Sequence, residues 1–294
     1  MDKLLRDKKM IAIFVGPALI LFVLVMLIPI VIACGLSLYS WDALSAPKFV
    51  GFAQYVRMFT SDTTFIVALK NTLFFLVTSL ISQSLLGLVI AIVLTNISKF
   101  RNVFKNVFYL PAVLSSAAVG LTWGFIFNPT MGALNNLFKM LGLTNLQHMW
   151  LVDPKSAMWC IAFVCLWEFT GSTMILYMAA IQGIPTSLYE AAGIDGAGKI
   201  KSIWHVTLPL IKPMIKTSLI LNSIGSLKFF DLIYTMTNGG PNHQTEVIAS
   251  HLYRRSFQMF EYGYGDALSV VLLVLCILTT VVVNKCIKTE NYEM

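Results

Sequence analysis

Charge is scarce in this chain. Of 294 residues, 12% are Asp, Glu, Lys or Arg, against about 25% in a soluble domain. So few charges cannot clothe a water-exposed surface. Acidic residues are the rarer sign, 14 against 21 basic ones. The five cysteines, Cys34, Cys160, Cys165, Cys276 and Cys286, form no C-x-x-C pair and lie in or beside apolar runs. They read as small buried hydrophobes, not as a disulfide framework. His148, His205, His243 and His251 lack metal-ligand spacing, so no metal site is expected. The G-x-x-x-x-G-K-[ST] phosphate loop is missing, which excludes nucleotide binding of that kind by this chain. Neither an internal repeat nor a low-complexity tract is visible, and no gap between apolar runs is long enough for a soluble domain.

What the chain has is hydrophobic length. Hydrophobic residues make up 57% of it, in runs of about 20, the thickness of a bilayer core. Six spans are expected, at Ile11–Leu36, Thr72–Thr95, Val107–Phe127, Ala157–Ile181, Met214–Met236 and Ala267–Val283. The first follows Lys3, Arg6, Lys8 and Lys9 as a signal peptide would. It is too long for a signal core and lacks a small-residue cleavage site, so it reads as a retained span. The fifth is interrupted by Lys216, Lys228 and Asp231. The expected fold is all-α: a polytopic membrane helical bundle with six transmembrane helices, forming one domain over residues 1–294. The net charge of +7 sits between apolar runs, not on one polar face, so lipid and not nucleic acid is the implied partner. Basic residues concentrate at the N-terminus, 97–106, 182–216 and the C-terminus, thirteen against six in the alternate loops. The positive-inside rule then predicts that both termini are cytoplasmic.

The loop from Gln182 to about Pro213 is far longer than a link between neighbouring helices requires. Within it, Pro185 to Glu190 reads as a helix start, with Ser187 as N-cap and Glu190 closing a capping box. Gly193, Gly196 and Gly198 permit a sharp turn. A second amphipathic stretch, Ile200–Leu208, is expected to stop at Pro209. Two short helices about a glycine turn would make a compact cytoplasmic knob.

This stretch reads Glu190-Ala191-Ala192-Gly193-Ile194-Asp195-Gly196, then nine residues, then Val206-Thr207-Leu208-Pro209. It resembles the EAA loop of binding-protein-dependent ABC import permeases, EAA-x3-G-x9-I-x-LP, with Val206 replacing the usual isoleucine. Tyr189 before it and Ala197 within it resemble the carbohydrate branch. Phe230-Asp231, then Thr237-Asn238-Gly239-Gly240-Pro241 and Thr245, are similar to the FD…TxGGP…T stretch of MalF-type sugar permeases. Asn71-Thr72 and Tyr264-Gly265-Asp266-Ala267 are weaker matches. The resemblance covers about residues 10–285.

The resemblance implies a permease subunit in a bacterial or archaeal cell membrane, forming half of a translocation pathway for a di- or oligosaccharide or a glycerol-phosphate-like sugar. A second homologous permease, two ATPase domains or subunits and an extracytoplasmic solute-binding protein would be its partners. ATP and Mg would sit on the ATPase; this chain would bind no cofactor and catalyse no reaction. Glu190, Ala191, Ala192, Asp195, Gly196, Ala197, Leu208 and Pro209 would couple to the ATPase. Gly239, Gly240 and Pro241 would turn toward the binding protein. Candidates for the sugar path are Glu168, Asn222, Ser226, Lys228 and Asp231. Each has a second reading: Glu190 as a cap, Asp195 as a cap for the second short helix, Lys228 and Asp231 as a structural ion pair, and Asn222, Ser223 and Ser226 as helix-to-helix glue. Trp167 and Phe169 beside Glu168 read as sugar-stacking or as packing. The alternative function is a secondary, ion-coupled transporter, but the paired broken helices and repeat symmetry of that class are not visible. A membrane enzyme would need convergent catalytic groups, and no hydrolytic motif surrounds Glu168, Lys228 or Asp231.

Overall fold

The computed structural model describes residues 8–97 and 99–288. The expected cytoplasmic termini include residues 1–7 and 289–294, which lie outside the described residues. In chain order, α1 is a helical run of Lys8–Phe22, a π turn at Val23–Leu27, and Ile28–Leu36. A short antiparallel ribbon, β1 (Tyr39–Ser40) and β2 (Lys48–Phe49), pairs Tyr39 with Phe49 and leads to α2 (Ala53–Thr60). Then come α3 (Thr63–Asn96, with a π turn at Ser79–Gln83), α4 (Arg101–Val113), α5 (Ser116–Ile126), α6 (Ala133–Met140) and α7 (Pro154–Gln182). Two short segments follow, α8 (Thr186–Ile194) and α9, the latter built of Lys199–Ser202, a π turn at Ile203–Thr207, and Leu208–Leu210. The chain continues through α10 (Lys212–Leu227), α11 (Asp231–Met236), α12 (Ile248–Tyr253) and α13 (Tyr262–Cys286).

Among the described residues, α1, α3, α7 and α13 are single helices long and apolar enough to cross a membrane, with mean hydropathy from 1.5 to 3.1. Two expected spans take other forms. Val107–Phe127 falls on α4 and α5, which are bent by 95°. Pro111 cannot donate to the preceding turn, and Leu114 and Ser115 are extended, with ψ of 155° and 125°. Met214–Met236 falls on α10 and α11. Near the end of α10, Ser223 donates to Leu219 O and Ser226 to Ser223 O, a local competition that weakens a helix. Phe230 leaves helical geometry at φ −135°.

The chain forms two compact units. One comprises Met1–Asp62 and Leu252–Val271. Here Arg57 pairs with Glu261 at 3.0 Å, and Arg255 pairs with both Glu261 and Asp62. Tyr264, from a weaker family match, donates to Asp62 at 2.7 Å. Asp42 closes its own loop: the Ser45 N–H, the Ser45 hydroxyl and the Leu44 N–H all donate to it, holding its carboxyl down at about 2.

The other unit comprises Thr63–His251 and Leu272–Met294, with α7 at its centre. Asp153 caps α7 through the N–H groups of Lys155 and Ser156, and Pro154 follows at the first helical position. More than half of the apolar window of α7 is buried, whereas none of that of α1 is. One end of α7 packs Ile161 and Val164 with Phe75, Val119, Leu232 and Ile233. Its other end packs Met174, Tyr177 and Ile181 with Ala91, Leu94 and Ile211. A Cβ at Gly171 would strike the Phe108 carbonyl of α4, so glycine lets these two helices meet backbone to backbone.

Candidate functional site

Three places gather the predicted residues. The first is the knob. α8 opens at Thr186, one residue before Ser187, and no side chain caps it. The expected capping box is therefore absent. The N-cap is Pro185, which has no N–H for a glutamate to accept from, and Glu190 stands exposed. At the other end of α8, Ala197 N donates to Ala192 O and Gly196 N to Gly193 O. That is the Schellman pattern, with Gly196 in the left-handed position at φ +74°. A Cβ on Gly196 would meet nothing within 4 Å, so backbone conformation alone demands the glycine. Asp195 is the C-cap of α8 and does not cap α9, whose N-cap is Gly198.

The second segment also differs from expectation, because it runs through Pro209 and ends at Leu210. The π turn explains this: Leu208 N reaches back to Ile203 O, and the widened turn accommodates the residue that has no N–H. Tyr189 and Thr207 bond through their hydroxyls at 3.0 Å, tying α8 to α9. Ile211 anchors the end of the knob in the core. The tip carries exposed apolar side chains, Ile194 (88% exposed), Ile200 and Trp204. None of the three stands out in the sequence as a docking side chain, although their position inside the EAA stretch was the available signal.

The second place is a cavity of about 310 Å³ between α3, α7 and α10. Asn222, Ser226, Lys228 and Asp231 line it, as does Phe169. Glu168 is buried behind it and accepts from Ser116, a lining residue, at 2.6 Å. Trp167 instead meets Trp123, edge to face, with centroids 5.5 Å apart. Lys228 and Asp231 do not form the structural ion pair that was their second reading. They are not on one helix face, because the break at Phe230 separates them, and both are exposed. A polar chain missed in the sequence crosses the wall. Ser79 donates to Gln83 Oε1 at 2.6 Å, Gln83 to Thr173 at 3.4 Å, Thr173 to Asn222 Oδ1 at 3.3 Å, and Asn222 to Ser84 at 3.1 Å. The π turn at Ser79–Gln83 presents its first two members.

The third place is the loop after α11. Gly239 has φ +79°, and its missing Cβ makes room for the buried Glu246 side chain. Thr245 bonds Thr237 at 2.8 Å and Gly240 O at 2.7 Å, and Glu246 accepts from Ser250. Asn71 donates to the carbonyls of Gln244 and Glu246, while Thr72 accepts from Ile248 N at 3.0 Å. The Asn71-Thr72 match and the TxGGP match are thus one hydrogen-bonded structure.

Long apolar helices around a polar-walled cavity, with a structured loop projecting from helix ends, define a multi-pass membrane permease. The family model for "Binding-protein-dependent transport system inner membrane component" matches residues 83–287, and the chain belongs to that family. It is 37% identical to a probable ABC transporter permease protein, YurN, of Bacillus subtilis, over 95% of this chain and 96% of that one. It is 32% identical to the trehalose/maltose transport system permease protein MalF of Thermococcus litoralis, over 95% and 94%. Among solved structures, a bacterial alginate ABC transporter in complex with an alginate pentasaccharide-bound periplasmic protein has a chain matching at TM-score 0.82. Identity there is 25%, with 99% of each chain covered. The family resemblance drawn from the EAA stretch is borne out. The chain is a transport component and a multi-pass membrane protein.

Proposed function

We propose that residues 1–294 form one permease domain of six membrane crossings, with both termini cytoplasmic and the EAA loop at about 182–213 coupling it to an ATPase. The chain supplies half of the pathway for a di- or oligosaccharide or a glycerol-phosphate-like sugar, and a homologous permease supplies the other half. The observation that carries this reading is the knob. Gly196 turns the chain at φ +74°, and beside it Ile194 projects 88% exposed. A rigid, tethered protrusion ending in an apolar side chain is suited to a partner's cleft. Glu190, Ala191, Ala192, Asp195, Gly196 and Ala197 form its docking edge; Leu208 and Pro209 connect it to α10. ATP-driven closure of two ATPase domains would move the knobs and rock the helices between two states. Sugar would pass the Asn222–Ser226–Lys228–Asp231 wall, with Glu168 positioned behind it through Ser116. The Gly239-Gly240-Pro241 turn would face a solute-binding protein. Sugar-transport relatives and the alginate-transporter fold support the substrate class.

The test is reconstitution. With its partner subunits the chain should give ATP-dependent, vanadate-sensitive sugar uptake, and alone in liposomes it should give neither uptake nor ATP hydrolysis. Uptake by the chain alone, driven by an ion gradient, would overturn the reading.

A further inference from the structure

A second, larger cavity lies behind the knob and shares Ala197 with its docking edge. It is a cleft of about 510 Å³ between the knob and the ends of α3 and α7. Among the described residues its charged lining is all of one sign: Arg101 and Lys199 line it, and no Asp or Glu does. The cavity wall at Asn222 differs, because there Lys228 is accompanied by Asp231. Arg101 is held in place, since its Nε donates to Ile97 O at 3.1 Å and its Nη2 to Thr95 O at 2.8 Å. A guanidinium has five N–H donors, so others remain for a ligand. Hydroxyls also line the cleft: Thr95 donates to Ala91 O, Ser202 to Gly198 O and Thr207 bonds Tyr189, which leaves the Thr186 hydroxyl to donate to a ligand.

We propose that this cleft binds a phosphate-bearing anion. Two positive charges, one of them the anchored Arg101 guanidinium, the Thr186 hydroxyl and no carboxylate among the described lining residues are the chemistry that selects phosphate. The cleft also lies where two membrane-length helices stop, at Asn96 and Gln182, both of which line it. Ends of membrane-length helices lie toward the polar zone of a bilayer, and basic pockets between transmembrane helices hold anionic headgroups. Ile92, Ile181 and Ile203 add an apolar wall that suits a glycerol backbone with its acyl chains. A free phosphorylated metabolite shares the phosphate chemistry but has no use for that wall. A ligand here would brace the knob against the helix ends. The proposal does not depend on ATPase docking, and its test requires no ATPase.

The experiment is thermal unfolding of the purified full chain in neutral detergent, titrated at constant ionic strength with phosphatidylglycerol, phosphatidylcholine or inorganic phosphate. Saturable stabilisation by phosphatidylglycerol above phosphatidylcholine is expected, and Arg101→Gln with Lys199→Gln should weaken it about thirtyfold. Lys105→Gln with Lys201→Gln removes equal charge just outside the cleft and should change the affinity less than twofold. Because Arg101 also secures the end of α3, Lys199→Gln alone is the second variant, with about a fivefold loss expected. A saturable response to inorganic phosphate that the cleft variants abolish would support the site and assign it a free ligand. No preference for the anionic lipid and no phosphate response would overturn the proposal. So would equal losses in the cleft pair and the control pair.

Discussion

Replacing Gly196 separates the two properties assigned to the knob. At φ +74° a residue with a Cβ is strained by about 1–2 kcal/mol. No neighbour lies within 4 Å of that Cβ, so no steric cost is added. Gly196→Ala should therefore lower the population of the correctly turned knob about fivefold to thirtyfold, while the helices that cross the membrane remain intact. Asp tolerates the left-handed region better than Ala, because its side chain bonds locally. If the turn's geometry were all that mattered, Gly196→Asp would be the milder change. If the tip is buried against an ATPase, Asp also places an unpaired charge in the contact, at a cost of several kcal/mol. The order then reverses, with Asp worse than Ala. The assay is ATPase retained on affinity-purified permease, read beside sugar uptake and the unfolding temperature of the permease alone. Wild-type retention and uptake in both variants would refute coupling through this turn. Asp milder than Ala would confine the role of Gly196 to local folding.

Ile194→Glu should abolish ATPase co-purification and leave the permease unfolding temperature within a degree or two, since the side chain is 88% exposed; a large stability loss would mean that Ile194 packs within the chain. Asn222→Leu breaks the bonds to Thr173 and Ser84, so it should destabilise by about 1–2 kcal/mol and lower uptake; normal uptake would remove Asn222 from the pathway. Thr72→Val leaves the buried Ile248 N–H without its acceptor, a cost of about 1–3 kcal/mol, and amide exchange at Ile248 should accelerate while exchange in α8 does not. Asp42 has a carboxyl held down at about 2, below its unfolded value of about 3.9. Its contribution is present above the unfolded value and lost as pH falls through about 2, so Leu44 and Ser45 amide protection should persist at pH 5 and fade below 4.

The EAA stretch was legible because a motif with fixed spacing names its own turn: Gly196 has the left-handed φ its position implied. Its helix ends were less legible. The capping-box pattern at Ser187 and Glu190 competes with Pro185, which starts the helix one residue early and offers no N–H. The apolar runs located α1, α3, α7 and α13, whose hydropathy is continuous. Hydropathy averages over a break, however, so it concealed the 95° bend at Leu114–Ser115 and the interruption at Phe230. The chain from Ser79 to Asn222 was hidden for another reason. Its members come from three helices, and Thr173–Asn222 and Asn222–Ser84 span 49 and 138 residues of sequence. Each alone is an ordinary small polar residue in a span.

The irregularities that concealed the cavity in the sequence are themselves arguments for its role. Non-helical backbone at membrane depth survives only where it is buried in protein or lines a wet space, because lipid offers it no hydrogen bonds. Three irregular segments lead into the same cavity: the π turn at Ser79–Gln83, the bend before Ser116, and the interruption from Lys228 to Asp231. Packing alone would not collect them, since the apolar core beside them is served well by unbroken α7. Lys228 and Asp231 sharpen the point. Each is exposed, and they are not paired with each other, which in hydrocarbon would cost several kcal/mol per charge. A water-filled route would remove that cost, and on the proposed function it would also offer a hydroxyl-rich solute donors and acceptors along the wall.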